Sequence, residues 1–417
     1  MVAEYARKPF VIAAFFCAFL FYSGIVKIPE RYPFVCLFKN EHIKGVCGTI
    51  KSSPVKSGSG KYYSVKTSVK SVFCADGSRA DAAGILTVFI PTELAEVYFP
   101  GKLYSAGAAN GAFLYEQGGT FCFNGYFAEN VFIVKSCEYC EWSKTLSGTL
   151  WYIRALCRLH LKRLLYLWGK AGGLLLALLC GAREYTDSST AQAFKDAGLS
   201  HILALSGMHL SLFSGIALFL GNRIGRRNIT FILRIIILLF FVWFAGFSPS
   251  LCRAFICAIL ILLSSIAGVK QPDMLVILCV SFLLQSVLFP GDIKNAGFIL
   301  SYTALGGILV TQRLFCKMYF RFCPPVLANS IASSTGAQLF SAPVSLGLFG
   351  SCNPFGIVSS IIVSPIVTVF IYSGLALIIL CLIFPPLAKS SGIFMNILYT
   401  IIRFLVLLFA KVPSIKI

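Results

Sequence analysis

Apolar runs of membrane length fill the second half of the chain, and short polar breaks separate them. Candidate spans are His201–Leu220, Ile229–Phe247, Leu251–Val269, Met274–Phe289, Ala296–Val310, Leu327–Phe349, Phe355–Phe384 and Gly392–Ala410. Crossing a bilayer as a helix takes roughly 20 mostly apolar residues. A further run, Phe10–Val26, follows Arg7 and Lys8 and reads as an uncleaved anchor with its start in the cytoplasm. Together these predict a polytopic α-helical membrane protein of about nine spans. Pro365 lies inside the seventh run, which leaves open one crossing or two there.

The pattern between the anchor and residue 144 is of another kind. Short runs rich in β-branched and aromatic residues are broken by Gly, Pro, Ser and Asp. Candidate strands are Gly45–Ser52, Lys61–Phe73, Gly84–Ile90, Lys102–Ala106 and Phe121–Lys135. Five or so strands predict a small all-β barrel of OB type, inserted between anchor and spans. In the second run Tyr63, Val65, Thr67, Val69 and Phe73 should share one face, and Tyr62, Ser64, Lys66, Ser68 and Lys70 the other. The chain thus divides into an anchor (1–26), a β domain (27–144), a connecting region (145–200) and a helical domain (201–417).

In the connecting region, Leu150–Lys170 carries Arg154, Arg158 and Lys162 at intervals of four, with Arg163 beside them. Ile153, Leu156, Leu164 and Leu167 lie off that stripe, so the segment predicts a basic helix lying in the membrane interface. Gly172–Gly181 is too short to span and predicts a re-entrant or interfacial piece.

Composition sharpens this picture. Of 417 residues, 57% are hydrophobic and 12% charged, and the formal net charge is +20. From His201 onward the only acids are Asp273 and Asp292, against fourteen Lys and Arg. Positive-inside loops explain such an excess, and so does a polyanionic partner. Lys39, Lys44, Lys51, Lys56, Lys61, Lys66 and Lys70 accompany Glu41 alone. Lysines beside tyrosines on a barrel face suit single-stranded nucleic acid, and they equally suit a plain solvated face. Six cysteines (Cys36, Cys47, Cys74, Cys122, Cys137 and Cys140) fall in the β region, where disulfides are permitted but pairing is not fixed.

Candidate chemistry sits where polar residues interrupt the spans, because polar groups in lipid normally face a bundle interior or a water-filled path. His201, Ser206, Gly207 and His209 mark the start of the first span. Ser248, Ser250 and Arg253 mark another break, Ser301 a third, and Gln338 with Pro343 and Asn353 a fourth. A hydrolase lacks a carboxylate to orient His209. A proton-coupled carrier would need intramembrane carboxylates. His201 and His209, about 12 Å apart on one continuous helix, would not share a metal. No enzyme activity, metal or cofactor is expected, and no phosphate loop marks an energy source.

These clusters resemble, in order, the motifs of the ComEC family of competence proteins. Gly198, Leu199, Ser200, His201, Ala204, Ser206, Gly207 and His209 meet its first pattern. Gly246, Ser248, Pro249, Ser250, Arg253 and Ala254 meet its second, and Gly297, Phe298, Leu300 and Ser301 its third. Gln338, Pro343, Phe349 and Gly350 meet the last. Ala182, Asn295 and Ile299 depart from the family's usual residues. The resemblance implies an inner-membrane channel passing single-stranded DNA inward, with an extracytoplasmic OB-like domain. Its path would include His201, Ser206, Gly207, His209, Ser248, Ser250, Arg253, Ser301 and Gln338, with Lys51, Lys56, Lys61, Lys66 and Lys70 receiving the strand. Implied partners are DNA, membrane lipids, a DNA receptor, a cytoplasmic ATP-driven helicase or translocase, and a separate nuclease. A transporter of another solute, or a member that no longer conducts, is the alternative.

Overall fold

The computed structural model describes residues 8–26, 34–57, 60–92, 94, 115–129, 131–140, 142–183, 186–269, 271–322, 324–412 and 415–416. Helix α1 spans Pro9–Tyr22, with Pro9 at its first position, where a missing N–H costs nothing. The β domain follows as β1 (Val35–Cys36), β2 (Ile43–Ile50), β3 (Val55–Lys56), β4 (Tyr62–Cys74), β5 (Arg79–Ala83), β6 (Ile85–Pro91), β7 (Thr120–Ala128) and β8 (Val131–Cys140).

Five of these strands close a ring. β4 pairs with β2, β2 with β7, β7 with β8 and β6 with β4, all antiparallel, and β6 pairs with β8 in parallel. Closure removes the open edges that an extended sheet would leave. Inside lie Val46, Ile50, Val65, Val88, Ile90, Phe121, Phe123 and Phe132. Cys47 and Cys122 stand directly opposite on β2 and β7 and are disulfide-bonded.

Two sequence expectations change here. The run Phe121–Lys135 is not one strand but the hairpin β7–β8, turning at Glu129, whose φ is +53°. In β4 the alternation holds through Tyr63, Val65, Thr67 and Val69, all buried, and then shifts. Cys47 pairs with Ser71 and Gly48 with Val69, so Lys70 is the extra residue of a bulge. Val72 rather than Phe73 then points inward. The expected strand Lys102–Ala106 lies outside the described residues.

The helical part comprises α2 (Leu146–Tyr166), α3 (Gly169–Cys180), α4 (Ser188–Asp196), α5 (Ser200–Leu203), α6 (Gly207–Ile224), α7 (Arg227–Ala245), α8 (Pro249–Ile266), α9 (Met274–Leu288), α10 (Ala296–Tyr319), α11 (Pro325–Phe349), α12 (Gly356–Ile383) and α13 (Ala388–Ala410). Five helices among the described residues are long and apolar enough to cross a membrane: α7, α8, α10, α12 and α13. α12 runs unbroken through Pro365. A short strand at Ser351–Cys352 pairs antiparallel with Ile415–Lys416.

α3 is the centre of this domain. Every residue from Ala171 to Cys180 is buried, against α12, α13 and the α4–α5 segment. It is neither interfacial nor lipid-facing, because small and aliphatic residues (Gly, Ala, Leu and Cys) at every position from Ala171 to Cys180 let all its faces pack. At its start Gly172 lies where a Cβ would meet the Leu165 carbonyl oxygen, so α2 and α3 form a tight hairpin.

α2 departs from its expected place in the membrane interface. Its basic stripe of Arg154, Arg158 and Lys162 is buried. Arg154 Nε donates to the Phe244 carbonyl at 3.2 Å, and Arg158 Nη1 to the Phe244 and Ala245 carbonyls at 3.3 Å. These are the last carbonyls of α7, which have no partner within their own helix and favour a cation.

α1 runs parallel to α9. Lys8 forms an ion pair with Asp273, the N-cap of α9, and Tyr22 Oη donates to the Ile293 carbonyl just past its end. Gln285 of α9 in turn bonds to Pro249 at the start of α8, beside the barrel contacts of α2. The start of α1 and the barrel therefore lie at opposite ends of the helical domain.

Candidate functional site

The expected span His201–Leu220 is broken. α5 ends at Leu203, Ala204 and Ser206 are extended, and α6 begins at Gly207. The local cause is Ser206, which caps α6. His209 Nδ1 accepts from the Ser206 amide at 3.2 Å, completing a reciprocal cap. Because His209 and His201 are not on one helix, the 12 Å argument against a shared metal fails. Among the described residues no group of three or more His, Cys, Asp or Glu is placed to hold a metal.

The break brings two motifs together. Ser250 Oγ donates to the Leu205 carbonyl at 2.7 Å, which the interrupted helix leaves free. A Cβ on Gly207 would stand 3.4 Å from Arg253 Nη2. The starts of α6 and α8 thus converge, and helix N-termini favour anions. With Nδ1 accepting, a neutral His209 carries its proton on Nε2. That atom is buried and has no partner among the described residues, as is true of Ser248 Oγ and Arg253 Nε. His209 is 1% exposed and Arg253 9%. Such unpaired buried donors carry a desolvation cost that a bound acceptor would offset.

The α9–α10 region supports this group from behind. Gln285, fully buried, donates to the Pro249 carbonyl at 3.0 Å and to Asp292 Oδ2 at 3.2 Å, and Tyr302 Oη donates to Gln285 Oε1 at 3.0 Å. Ser301 is half-buried and makes no such link; its neighbour Tyr302 does. Sequence reasoning overlooked Gln285, although an amide inside an apolar helix was a signal.

His201 and Gln338 belong to a second group. His201 Nε2 lies 3.4 Å from Ser360 Oγ. Gln338 Nε2 donates to the Asn353 carbonyl at 2.9 Å, Asn353 Nδ2 to the Asp196 carbonyl at 2.5 Å, and Ser359 Oγ to the Ala197 carbonyl at 2.9 Å. Gly198, with φ +74°, sits where a Cβ would press on Gly356 and Asn353. These bonds hold the chain entering α5 against the start of α12. The sequence candidates therefore form two adjoining groups rather than one.

A third group joins barrel to helices, and sequence missed its acid. Glu116 Oε1 accepts from Arg158 Nε at 3.2 Å and Lys162 Nζ at 2.7 Å. Arg154 Nη1 donates to Gln117 Oε1 at 3.4 Å, and Arg158 Nη2 to Ser53 Oγ at 3.4 Å. Burial pushes the Glu116 carboxyl up, but the charges of Arg158 and Lys162 outweigh it and hold the group low. On the barrel, Lys51, Lys61, Lys66 and Lys70 are exposed, and the Lys51 amide donates to the Lys66 carbonyl. The side chain of Lys56 lies outside the described residues.

A β-barrel carried on a bundle of membrane-length helices, with motifs gathered where two helices begin, defines a polytopic membrane protein with an internal polar site. Residues 178–417 match the family model described as Competence protein, and the chain belongs to that family. It is similar to ComE operon protein 3 of Bacillus subtilis (strain 168), 25% identical over 203 residues, 48% of this chain and 25% of that protein. It is also similar to Recombination protein 2 of Haemophilus influenzae (strain ATCC 51907 / DSM 11121 / KW20 / Rd), 27% identical over 211 residues, 46% of this chain and 26% of that protein. The chain thus spans about a quarter of the length of these relatives. No solved structure matches it.

Proposed function

We propose that the chain takes part in DNA uptake for transformation, as the membrane channel that passes single-stranded DNA into the cytoplasm. Membership of the competence family supports the process. The observation that carries the channel is the meeting of α6 and α8, with Arg253, His209 and Ser248 holding unpaired donors. A phosphodiester supplies the acceptors such donors lack, and guanidinium suits phosphate.

The barrel is of OB type in this reading. Its ring order, with one parallel pairing between β6 and β8, supports that assignment, as do the exposed lysines on its outer face. About nine crossings follow when α1, α6, α9 and α11 are counted with the five helices that are both long and apolar enough to cross. In this reading the start of α1 lies on the cytoplasmic side of a bacterial inner membrane and the barrel outside, an orientation that the basic flank of Arg7 and Lys8 supports. The Cys47–Cys122 disulfide suits an oxidising outer compartment. The chain itself does no chemistry: a DNA receptor delivers the strand, a separate nuclease trims it and a cytoplasmic ATP-driven partner pulls it.

The test is transformation of a deletion strain complemented with Arg253→Ala. Uptake of labelled DNA should stop while the protein remains in the membrane at normal level. Normal uptake by that variant would overturn the reading.

A further inference from the structure

One helix that is apolar enough to cross the membrane carries a polar stripe that none of the motifs explains. On α13, positions 389, 392, 396, 400 and 403 recur at intervals of three and four and share one face. They are Lys389, Gly392, Asn396, Thr400 and Arg403. Lys389 to Arg403 covers about 21 Å at 1.5 Å per residue, most of a hydrocarbon core. An open groove of about 430 Å³ runs beside the stripe, lined by Lys389, Gly392, Ile393, Asn396, Ile397 and Thr400 of α13 and by Leu167 at the end of α2.

The stripe does not end at Arg403. Tyr399, one turn before it and midway along α13, shares a buried 2.8 Å hydrogen bond with Thr190 of α4. α4 buries Thr190, Ala193 and Phe194, and exposes Ser188, Ser189, Gln192, Lys195 and Asp196. A polar helix tied to the middle of a span, with its polar face uncovered, needs water on that face rather than lipid. Asp187 at its start is close enough to Lys170 and Arg403 to feel both charges. α4 then leads through Ala197 and Gly198 to His201 at the barrel end. Polar groups thus follow one another from Lys389, at the end far from the barrel, to His201.

We propose that α4 and the polar stripe of α13 form one wall of a water-filled route through the membrane, with Lys389, Lys170 and Arg403 as its contacts to the phosphates of a single strand. The assignment of the occupant rests on the DNA-uptake reading above; that of the water does not. Asp187, whose carboxylate accepts from Ser189 and Thr190, is the nearby negative charge that balances Lys170 and Arg403 without pairing with either. Asn396 and Thr400 are already bonded to backbone carbonyls, so they make the wall polar without acting as ligands.

The experiment compares Thr400→Cys with Ile401→Cys in the full chain in membranes. The two positions are adjacent and at equal depth; Thr400 is on the stripe, while Ile401 is 43% exposed on another face. A membrane-impermeant charged maleimide is applied, and modification is read at each introduced cysteine by peptide mass. A thiol held in lipid stays protonated and inert, so the Thr400→Cys rate should exceed the other by about tenfold or more. A single-stranded oligonucleotide should protect Thr400→Cys, and Arg403→Gln, but not Arg403→Lys, should remove the protection. Equal rates, or no labelling of Thr400→Cys, would overturn the route. Labelling without protection, while the same chain retains the oligonucleotide, would overturn the strand as its occupant. An oligonucleotide retained nowhere on the chain would instead sink both the occupant and the DNA-uptake reading.

Discussion

Glu116 and Arg158 meet at 3.2 Å with both side chains buried, and through this pair the barrel is fixed to the helical domain. Arg158 also reaches the Phe244 and Ala245 carbonyls at the end of α7, three residues before the motif serine Ser248. Breaking a buried pair strands the remaining charge, at a cost of about 3–5 kcal/mol. Glu116→Gln should therefore lower the melting temperature of the purified chain markedly, since Arg158 and Lys162 both lose their countercharge. A melting curve indistinguishable from the parent would mean that the charges of this cluster do not hold the two domains together.

The same pair makes the docking acid-sensitive. Glu116 is depressed from an ordinary value of 4.5 to about 2 in the folded protein. A depressed carboxyl stabilises fully above its unfolded value and loses that contribution as pH falls through the folded one. Docking should thus be unaffected above about pH 4.5 and weaken progressively toward pH 2. Tryptophan fluorescence during acid titration reads this, because Trp142 and Trp151 lie beside the joint. In Glu116→Gln that component should be absent.

Much of this architecture was legible in the chain. The apolar N-terminal helix, the barrel and the run of apolar helices follow from periods of two and 3.6 residues and from run length. What escaped was tertiary. Arg154, Arg158 and Lys162 look the same in sequence whether they meet lipid headgroups or a buried glutamate; only the position of Glu116 decides. α3 looked re-entrant because length alone could not tell a core helix from an interfacial one. The break before Gly207 was written in Ser206 and His209, but a cap can be recognised only when its helix is known to begin there. Ser206, Gly207, His209, Ser250 and Arg253 were chosen for being polar among apolar neighbours, and the fold gathers them; the same criterion also picked His201 and Gln338, which hold a different joint.

The disulfide between Cys47 and Cys122 closes a long loop, with a sequence separation of 75 residues. Constraining the unfolded chain this way contributes on the order of 4 kcal/mol in the chain-entropy account. Cys47→Ser should lower the stability of the barrel and make it indifferent to reductant, whereas the parent should lose stability when reduced. Melting curves with and without dithiothreitol check this.

Lys51, Lys61, Lys66 and Lys70 stand exposed on the barrel. If they meet phosphates, binding of a labelled single strand to the full chain should fall steeply with salt, because each contact releases counterion. Replacing Lys51 and Lys66, joined through their backbones, by alanine should lower the slope of log affinity against log salt by about 1.4, near 0.7 for each contact on a single strand. A slope unchanged by the pair would remove these lysines from the interface.

Gly246 gives the most local prediction. Its φ is +102°, a conformation that side chains resist, and a Cβ there would stand 2.8 Å from Arg154 Nη2. The residue ends α7, lies next to the carbonyls that Arg154 and Arg158 hold, and begins the Gly-Phe-Ser-Pro-Ser turn into α8. Gly246→Ala should cost about 1–3 kcal/mol from backbone strain alone. It should also push Arg154 away from Gln117 and the Phe244 carbonyl, so barrel docking and the start of α8 are disturbed together. Arg154→Ala in the same chain removes the collision but not the strain. The double variant should therefore be less destabilised than the sum of the two single ones, a non-additivity that a cycle of four melting curves measures directly. Strict additivity would show that the arginine does not rest on this glycine.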